Sequence, residues 1–180
     1  MPDYNVVFYD FSTSNTFSTS NGGTYVYAGP AVAAGSAVIT DNEAGVGGQN
    51  LDDDNNGGEL ATANVTLGAL TSTGVNVDAE ITWTVRDVLT GEVFQIAQFD
   101  VESGGASGLY LMSEIPLIVG REYETLDYNT NPNADAGDPA FNYQDHANSA
   151  FFSDGTVSGT SGDDVIDGSY LGDNDGDRVD

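Results

Sequence analysis

Cysteine is absent from the 180 residues, and so is lysine. Without cysteine no disulfide can staple the fold. Without lysine there is no Lys–Asn isopeptide crosslink and no glycine loop that cradles phosphate with the help of a lysine. Basic residues of any kind are scarce: Arg86, Arg121 and Arg178 stand against 29 acidic residues, for a formal net charge of -26. Such a chain repels nucleic-acid phosphates and anionic lipid, so neither is an expected partner. His146 is the single histidine. One histidine without cysteine does not make a zinc site, and no G-x-S-x-G elbow accompanies it, so a surface-loop histidine is expected. No run of 18 apolar residues occurs, which predicts no membrane-spanning helix. The first residues do not pair a basic region with an apolar one, so the expectation is a cytosolic protein or export by a route that needs no N-terminal signal.

What is present is aromatic, β-branched and glycine-rich. Nine Tyr, eight Phe and one Trp within a 39% hydrophobic composition are enough for one real core. Strand signals fall at residues 4–11, 24–28, 36–40, 61–67, 80–86, 92–101, 109–112, 117–119 and 122–128. The clearest alternation is at 80–86, where Ile81, Trp83 and Val85 face one way and Thr82, Thr84 and Arg86 the other. Thr90-Gly91 then reads as a turn into residues 92–101, predicting a hairpin. No segment carries a 3.6-residue apolar period. Twenty-three glycines sit mainly between the strands, where turns require them. The pattern predicts an all-β, antiparallel β-sandwich, jelly-roll or immunoglobulin-like, over residues 1–150. Trp83 is expected in its core rather than as a sugar-stacking platform, and Tyr25, Tyr27, Tyr123 and Tyr128 are a candidate surface patch.

Two acidic segments stand out. Asp52, Asp54, Asn56 and Gly57 spell D-x-D-x-N-G, the first half of an EF-hand-like calcium loop, in which alternate residues turn their oxygens inward and glycine permits the turn. Position 12 is Ala63, not Glu, and no flanking helices are indicated. The expectation is therefore a calcium loop between strands, completed by Glu59 or a backbone carbonyl. Asp41-Asn42-Glu43 could share its ion, and residues 129–138 are a weaker oxygen-rich candidate.

The second segment is the acidic, Gly/Asp-rich stretch 151–180; its last 27 residues contain eight Asp and six Gly. Residues 159–167 approximate the repeat G-G-x-G-x-D-x-U-x, with Gly159, Gly162, Asp164 and Ile166 in register. A degenerate second nonamer at 172–180 puts Asp177 and Val179 in the corresponding places. Glycines there permit a tight turn whose carbonyls face calcium, and the Asp supplies a carboxylate. A repeat of this kind cannot bury its apolar residue without neighbours, so the segment is expected to continue in a longer product. The candidate ligands are Gly159, Gly162, Asp164, Asp167, Asp173, Asp175, Asp177 and Asp180.

The string from Asp154-Gly155-Thr156 through Asp177-Arg178-Val179-Asp180 resembles the start of hemolysin-type (RTX) calcium-binding repeats. It is similar to that region in secreted proteins of marine alphaproteobacteria, which often carry a later Hint autoprocessing domain. The resemblance implies type I secretion and an extracellular location.

No catalytic constellation emerges. Among 29 carboxylates no pair marks itself for glycoside hydrolysis, so an enzyme is not expected. A self-repelling chain without covalent crosslinks points instead to Ca2+ as the stabiliser of a secreted structural or adhesive protein, a subunit of a filament, surface layer or matrix. Its partners would be further copies of itself, forming a homo-oligomer or filament, or cell-surface glycan. A carbohydrate-binding or polysaccharide-degrading module and a virion or phage surface protein are the alternatives.

Overall fold

The computed structural model describes residues 2–11, 17–56, 58–151, 157, 159, 163–167 and 170. Among these residues ten strands follow one another: β1 Asp3–Phe8, β2 Thr24–Val26, β3 Gly35–Thr40, β4 Asn50–Leu51, β5 Thr62–Leu67, β6 Leu70–Asp87, β7 Val93–Val101, β8 Gly108–Ser113, β9 Glu122–Asn129 and β10 Phe141–Asn142. No α-helix occurs among the described residues, and no helix is long and apolar enough to cross a membrane. Every strand pair among the described residues is antiparallel, so the expected all-β antiparallel class is observed.

The main sheet runs β1-β3-β5-β6-β7-β8, with β9 added to the second half of β6 and β2 added to β9. It curls until its ends touch. Tyr9, just past β1, exchanges both backbone hydrogen bonds with Leu111 of β8 (2.9 and 3.2 Å). The short pair β4–β10 stands apart.

β6 organises the molecule. Its first half pairs with β5 and its second half with β7 and β9. A bulge between Ala79 and Ile81 interrupts the pairing with β7. Because side chains alternate with period 2, one extra residue moves the apolar set to the opposite face. Val77 and Ala79 accordingly point into one core, with Phe8, Ile39, Val65, Phe99 and Met112, whereas Trp83 and Val85 point into a second, with Tyr9, Tyr27, Ile96, Leu111 and Tyr123. The predicted hairpin between residues 80–86 and 92–101 is present, with Arg86 opposite Val93 and Gly91 at φ +79°.

The ten residues preceding that predicted strand, 70–79, were not expected as strand; they interleave Ser, Gly, Asn and Asp, which have low β propensity, with Thr and Val, which favour strands. Conversely, residues 117–119 form no strand. The Leu117 N–H donates to the Tyr9 hydroxyl (2.9 Å) and the Ile118 N–H to the Tyr123 hydroxyl (3.0 Å), so phenols satisfy the donors that a ladder would have used. The tyrosine patch is corrected by the same packing: Tyr27 and Tyr123 are 1% and 2% exposed, core residues rather than a surface. Trp83 is buried as expected.

One close approach is testable. Gly35 pairs with Phe8 across β1 and β3, and a Cβ at Gly35 would lie 2.1 Å from Phe8 Cζ. The ring covers the glycine face. Gly35→Ala should cost about 1–3 kcal/mol by overpacking, measurable as a lowered midpoint in urea with unchanged slope. A neutral substitution would show that Phe8 is free to move.

Candidate metal centre

The face of β6 and β7 that carries the second core at one end carries carboxylates at the other. Asp78 and Asp100 are register partners, on the face opposite Val77, Ala79, Phe99 and Val101. Like charges directly across a ladder repel. The bulge residue Glu80 adds a third carboxyl group, and ligand oxygens of Asp78, Glu80 and Asp100 all lie within 4.8 Å of one another.

The segment after β4 lays two more over them. Asp53 Oδ1 accepts from the N–H groups of Asn55 (2.7 Å) and Asn56 (2.9 Å), closing a tight turn. The Asp54 N–H donates to Asp78 Oδ2 (3.4 Å). Residues 129–138 pin this turn from outside. Asp53 N–H donates to Pro132 O (3.0 Å), Asn56 Nδ2 to Asn131 O (2.7 Å), and Asn133 Nδ2 to Asn56 O (3.1 Å). As a result Asp53, Asp54 and Asp78 form a second group within 4.8 Å, sharing Asp78 with the first.

Asp78 is 3% exposed, and its Oδ1 is buried with no hydrogen-bond partner. An orphaned buried carboxylate oxygen is costly unless a cation or proton meets it. Burial, with the charges of Asp100, Glu80 and Asp54, pushes its pKa up to about 7 against the opposing N–H of Asp54. Burial and the same neighbourhood of negative charge also raise Glu80 and Asp100.

A further cluster lies on the other side of the same segment. Asp41, at the end of β3, joins Glu43 and Glu59 within 4.8 Å. Glu59 is fastened through both oxygens: Oε2 accepts from Asp52 N–H (2.9 Å) and Oε1 from Leu60 and Ala61 N–H (2.8 Å each). Burial raises Glu59 to about 8, and the Asp41 and Glu43 charges add to the rise. Asp52, 1% exposed, accepts from Ala134 N–H at 3.1 Å on both oxygens, and burial raises it to about 7. Burial also raises Asp41 and Glu43.

The D-x-D-x-N-G residues therefore do not converge on one point. Asp54 joins Asp53 and Asp78, Glu59 joins Asp41 and Glu43, Asp52 caps the turn at Ala134, and Asn56 ties the segment to Asn131 and Asn133. Gly57 lies outside the described residues. Asp41 and Glu43 meet the segment at Glu59, apart from Asp54. The sequence reading did not anticipate Asp53, Asp78, Glu80 and Asp100 as candidate ligands. The hairpin turn carried a signal: counting back from Thr90-Gly91 brings Asp78 opposite Asp100 once one bulge is allowed.

Of the acidic tail, Gly159, Asp164 and Asp167 are described and exposed, while Gly162, Asp173, Asp175, Asp177 and Asp180 lie outside the described residues. A Cβ on Gly159 would be 3.0 Å from Asp164 Oδ2, so this carboxylate does turn back on the glycine. Ile166 is 47% exposed rather than packed inside a roll.

Among the described residues, arginine does not relieve the centre. The ion pairs among the described residues are Arg86–Glu124 and Arg121–Asp87, both at the far end of β6. Glu114, lining an open cleft of about 350 Å³ with Asp138 and Asp145, accepts from Gln95 N–H (2.8 Å) and Asn142 N–H (3.0 Å), so both of its oxygens are used in holding backbone. The expectation of a surface histidine is corrected. His146 stacks on Phe151 (centroids 4.8 Å, 19°) and accepts from Val7 N–H (3.4 Å), and burial lowers its pKa to about 4.

Chemically, the groups offer carboxylates and no nitrogen or sulfur. That donor set suits a hard divalent cation such as Ca2+, Mg2+ or Mn2+. No family model, curated protein or solved structure matches the chain.

Proposed function

We propose that the chain is a secreted, calcium-stabilised structural or adhesive module, part of an extracellular filament, surface layer or matrix. The observation that carries this reading is the buried, unpartnered Oδ1 of Asp78 among carboxylates, with no basic side chain among the described residues to answer it. In a chain of net charge -26 without cysteine, a cation tying the 52–59 segment to β6 and β7 replaces a covalent staple. Calcium suits the irregular donor arrangement better than magnesium, because it accepts six to eight oxygens in flexible geometry while Mg2+ demands a near-ideal octahedron. The sandwich-like sheet would lead into an RTX-like calcium-binding segment, and extracellular calcium would complete both after export. Assembly would use the outer edge of β2, which among the described residues pairs on one side only, with β9.

The carbohydrate-binding and polysaccharide-degrading alternatives draw less support. Trp83 is buried, and both Glu114 oxygens are engaged by backbone donors.

Calorimetric titration of the metal-free chain, followed by electron microscopy, tests the reading. Saturable Ca2+ binding, weaker Mg2+ binding, and ordered particles or filaments with calcium are expected. Absence of Ca2+ binding at millimolar concentration would overturn it.

A further inference from the structure

Asp78 belongs to both carboxylate groups on this face of the molecule, one completed by Asp53 and Asp54 and the other by Glu80 and Asp100. We propose that these five residues form a two-ion calcium centre in which the Asp78 carboxylate bridges the ions. The inference rests on the calcium reading above and deepens it.

Three observations lead to two ions rather than one. The first is charge. One Ca2+ among five ionised carboxylates leaves three negative charges uncompensated, two ions leave one, and both described ion pairs lie at the other end of β6. The second is the asymmetry of Asp78. Its side chain is 3% exposed, with Oδ2 taken by the Asp54 N–H and Oδ1 bare, so the carboxylate is fixed in orientation while an oxygen remains open to a ligand. The third is the origin of the two groups. Asp78, Glu80 and Asp100 come from the paired strands and their bulge, whereas Asp53 and Asp54 come from a separately pinned turn. Each group places ligand oxygens of three residues within 4.8 Å of one another, which is a separate cradle for a cation. Waters and backbone carbonyls would complete each shell to the six to eight oxygens calcium takes. An ion in the first cradle fastens the hairpin across its repelling Asp pair. An ion in the second fastens the turn to the hairpin, and Asp78 makes the two events interdependent.

Native mass spectrometry of the full chain at saturating Ca2+ counts the ions, and Mn2+ substitution followed by electron paramagnetic resonance reports their proximity. Asp78→Asn should lose two ions relative to the parent chain. Asp100→Asn and Asp53→Asn should each lose one, and Asn at position 53 can still accept from Asn55 and Asn56. The Mn2+-loaded parent should show an exchange-coupled spectrum that reverts to isolated six-line signals in Asp100→Asn. Asp100 is only partly buried, and circular dichroism checks that its variant keeps the parent fold. If Asp78→Asn loses a single ion and the Mn2+ signals are uncoupled, the bridge is wrong while the calcium reading stands. If the parent chain binds no calcium, both fall. If it binds calcium with a stoichiometry that none of the three substitutions changes, the ions sit elsewhere and this centre is overturned.

Discussion

At pH 7.5 the metal-free chain is expected to melt below the chain in 10 mM Ca2+ by about 5–11 °C for each bound ion, or about 11–22 °C for the two-ion centre, and the gap is expected to narrow as the pH falls toward 5. The size follows from mass action. A site with a dissociation constant near ~0.1 mM is held at about 100 times that value in 10 mM ligand, which stabilises the folded state by about 2.7 kcal/mol per ion. Each kcal/mol moves the midpoint of a domain this size by about 2–4 °C.

The pH dependence comes from the folded-state carboxyls. Asp52 and Asp78 are raised to about 7 and Glu59 to about 8, all by burial first. Unfolded carboxyls titrate near ~4. Groups raised in the folded state contribute proton-linked stability that is complete below the unfolded value and lost as the pH rises through the folded one. The metal-free chain should therefore lose stability between about pH 4 and pH 8, and calcium should restore most where protons have left. His146 works in the opposite sense. Its value is lowered to about 4, so the stability it contributes is full above about pH 6.5 and lost as the pH falls through 4. The metal-free curve should thus have its maximum on the acid side of neutrality. Scanning calorimetry from pH 4 to 8, with EDTA and with Ca2+, gives both curves. A melting temperature that EDTA leaves unchanged at pH 7.5 would remove the stabilising role of metal.

Arg121→Met should be the most damaging single substitution away from the metal centre. Its side chain and that of Asp87 are 3% and 6% exposed, and the two form a buried ion pair. Asp87 also accepts from the N–H groups of Leu89 (2.8 Å) and Thr90 (3.1 Å), so the pair holds the β6–β7 turn to the start of β9. Removing one partner leaves a buried charge unanswered, at a cost of about 3–5 kcal/mol, or roughly 6–20 °C in midpoint. The double variant Arg121→Met/Asp87→Asn keeps an acceptor for the turn and should recover part of the loss. Asp87 and Asp78 are nine residues apart on β6, roughly 30 Å at the rise of a strand, so the Arg121 loss should add to the effect of chelation without coupling to it. Chemical denaturation of the single and double variants measures both terms. A loss under about 1 kcal/mol for the single variant would show that water already reaches the pair.

Much of the fold was legible because it rests on local pattern. The alternation of Ile81, Trp83 and Val85 and the Thr90-Gly91 turn identify a half-buried strand and its hairpin without tertiary information. The first half of β6 was not legible. Leu70, Thr71 and Ser72 take strand geometry because they fold back on Leu67, Thr66 and Val65 across the two-residue turn Gly68-Ala69, a hairpin that Gly68 alone marks in the sequence. The site divides in the same way. Composition and the run at 52–54 pointed to acidic chemistry there, and Asp54 and Glu59 do reach carboxylate clusters. Their partners, Asp78 and Asp100, sit in different strands and look in the sequence like ordinary strand acids. They meet because one bulge at Glu80 shifts the register, and they are covered because Asn131 and Asn133 pin a turn some 75 residues earlier in the chain.

Anomalous diffraction from crystals of the full chain grown with Mn2+ or Ca2+ tests the central claim most directly. Anomalous density is expected against Oδ1 of Asp78, flanked by Asp53 and Asp54 on one side and by Glu80 and Asp100 on the other. Carboxylates without anomalous density, and an Asp78 Oδ1 hydrogen-bonded to water or to a protonated neighbour, would contradict it.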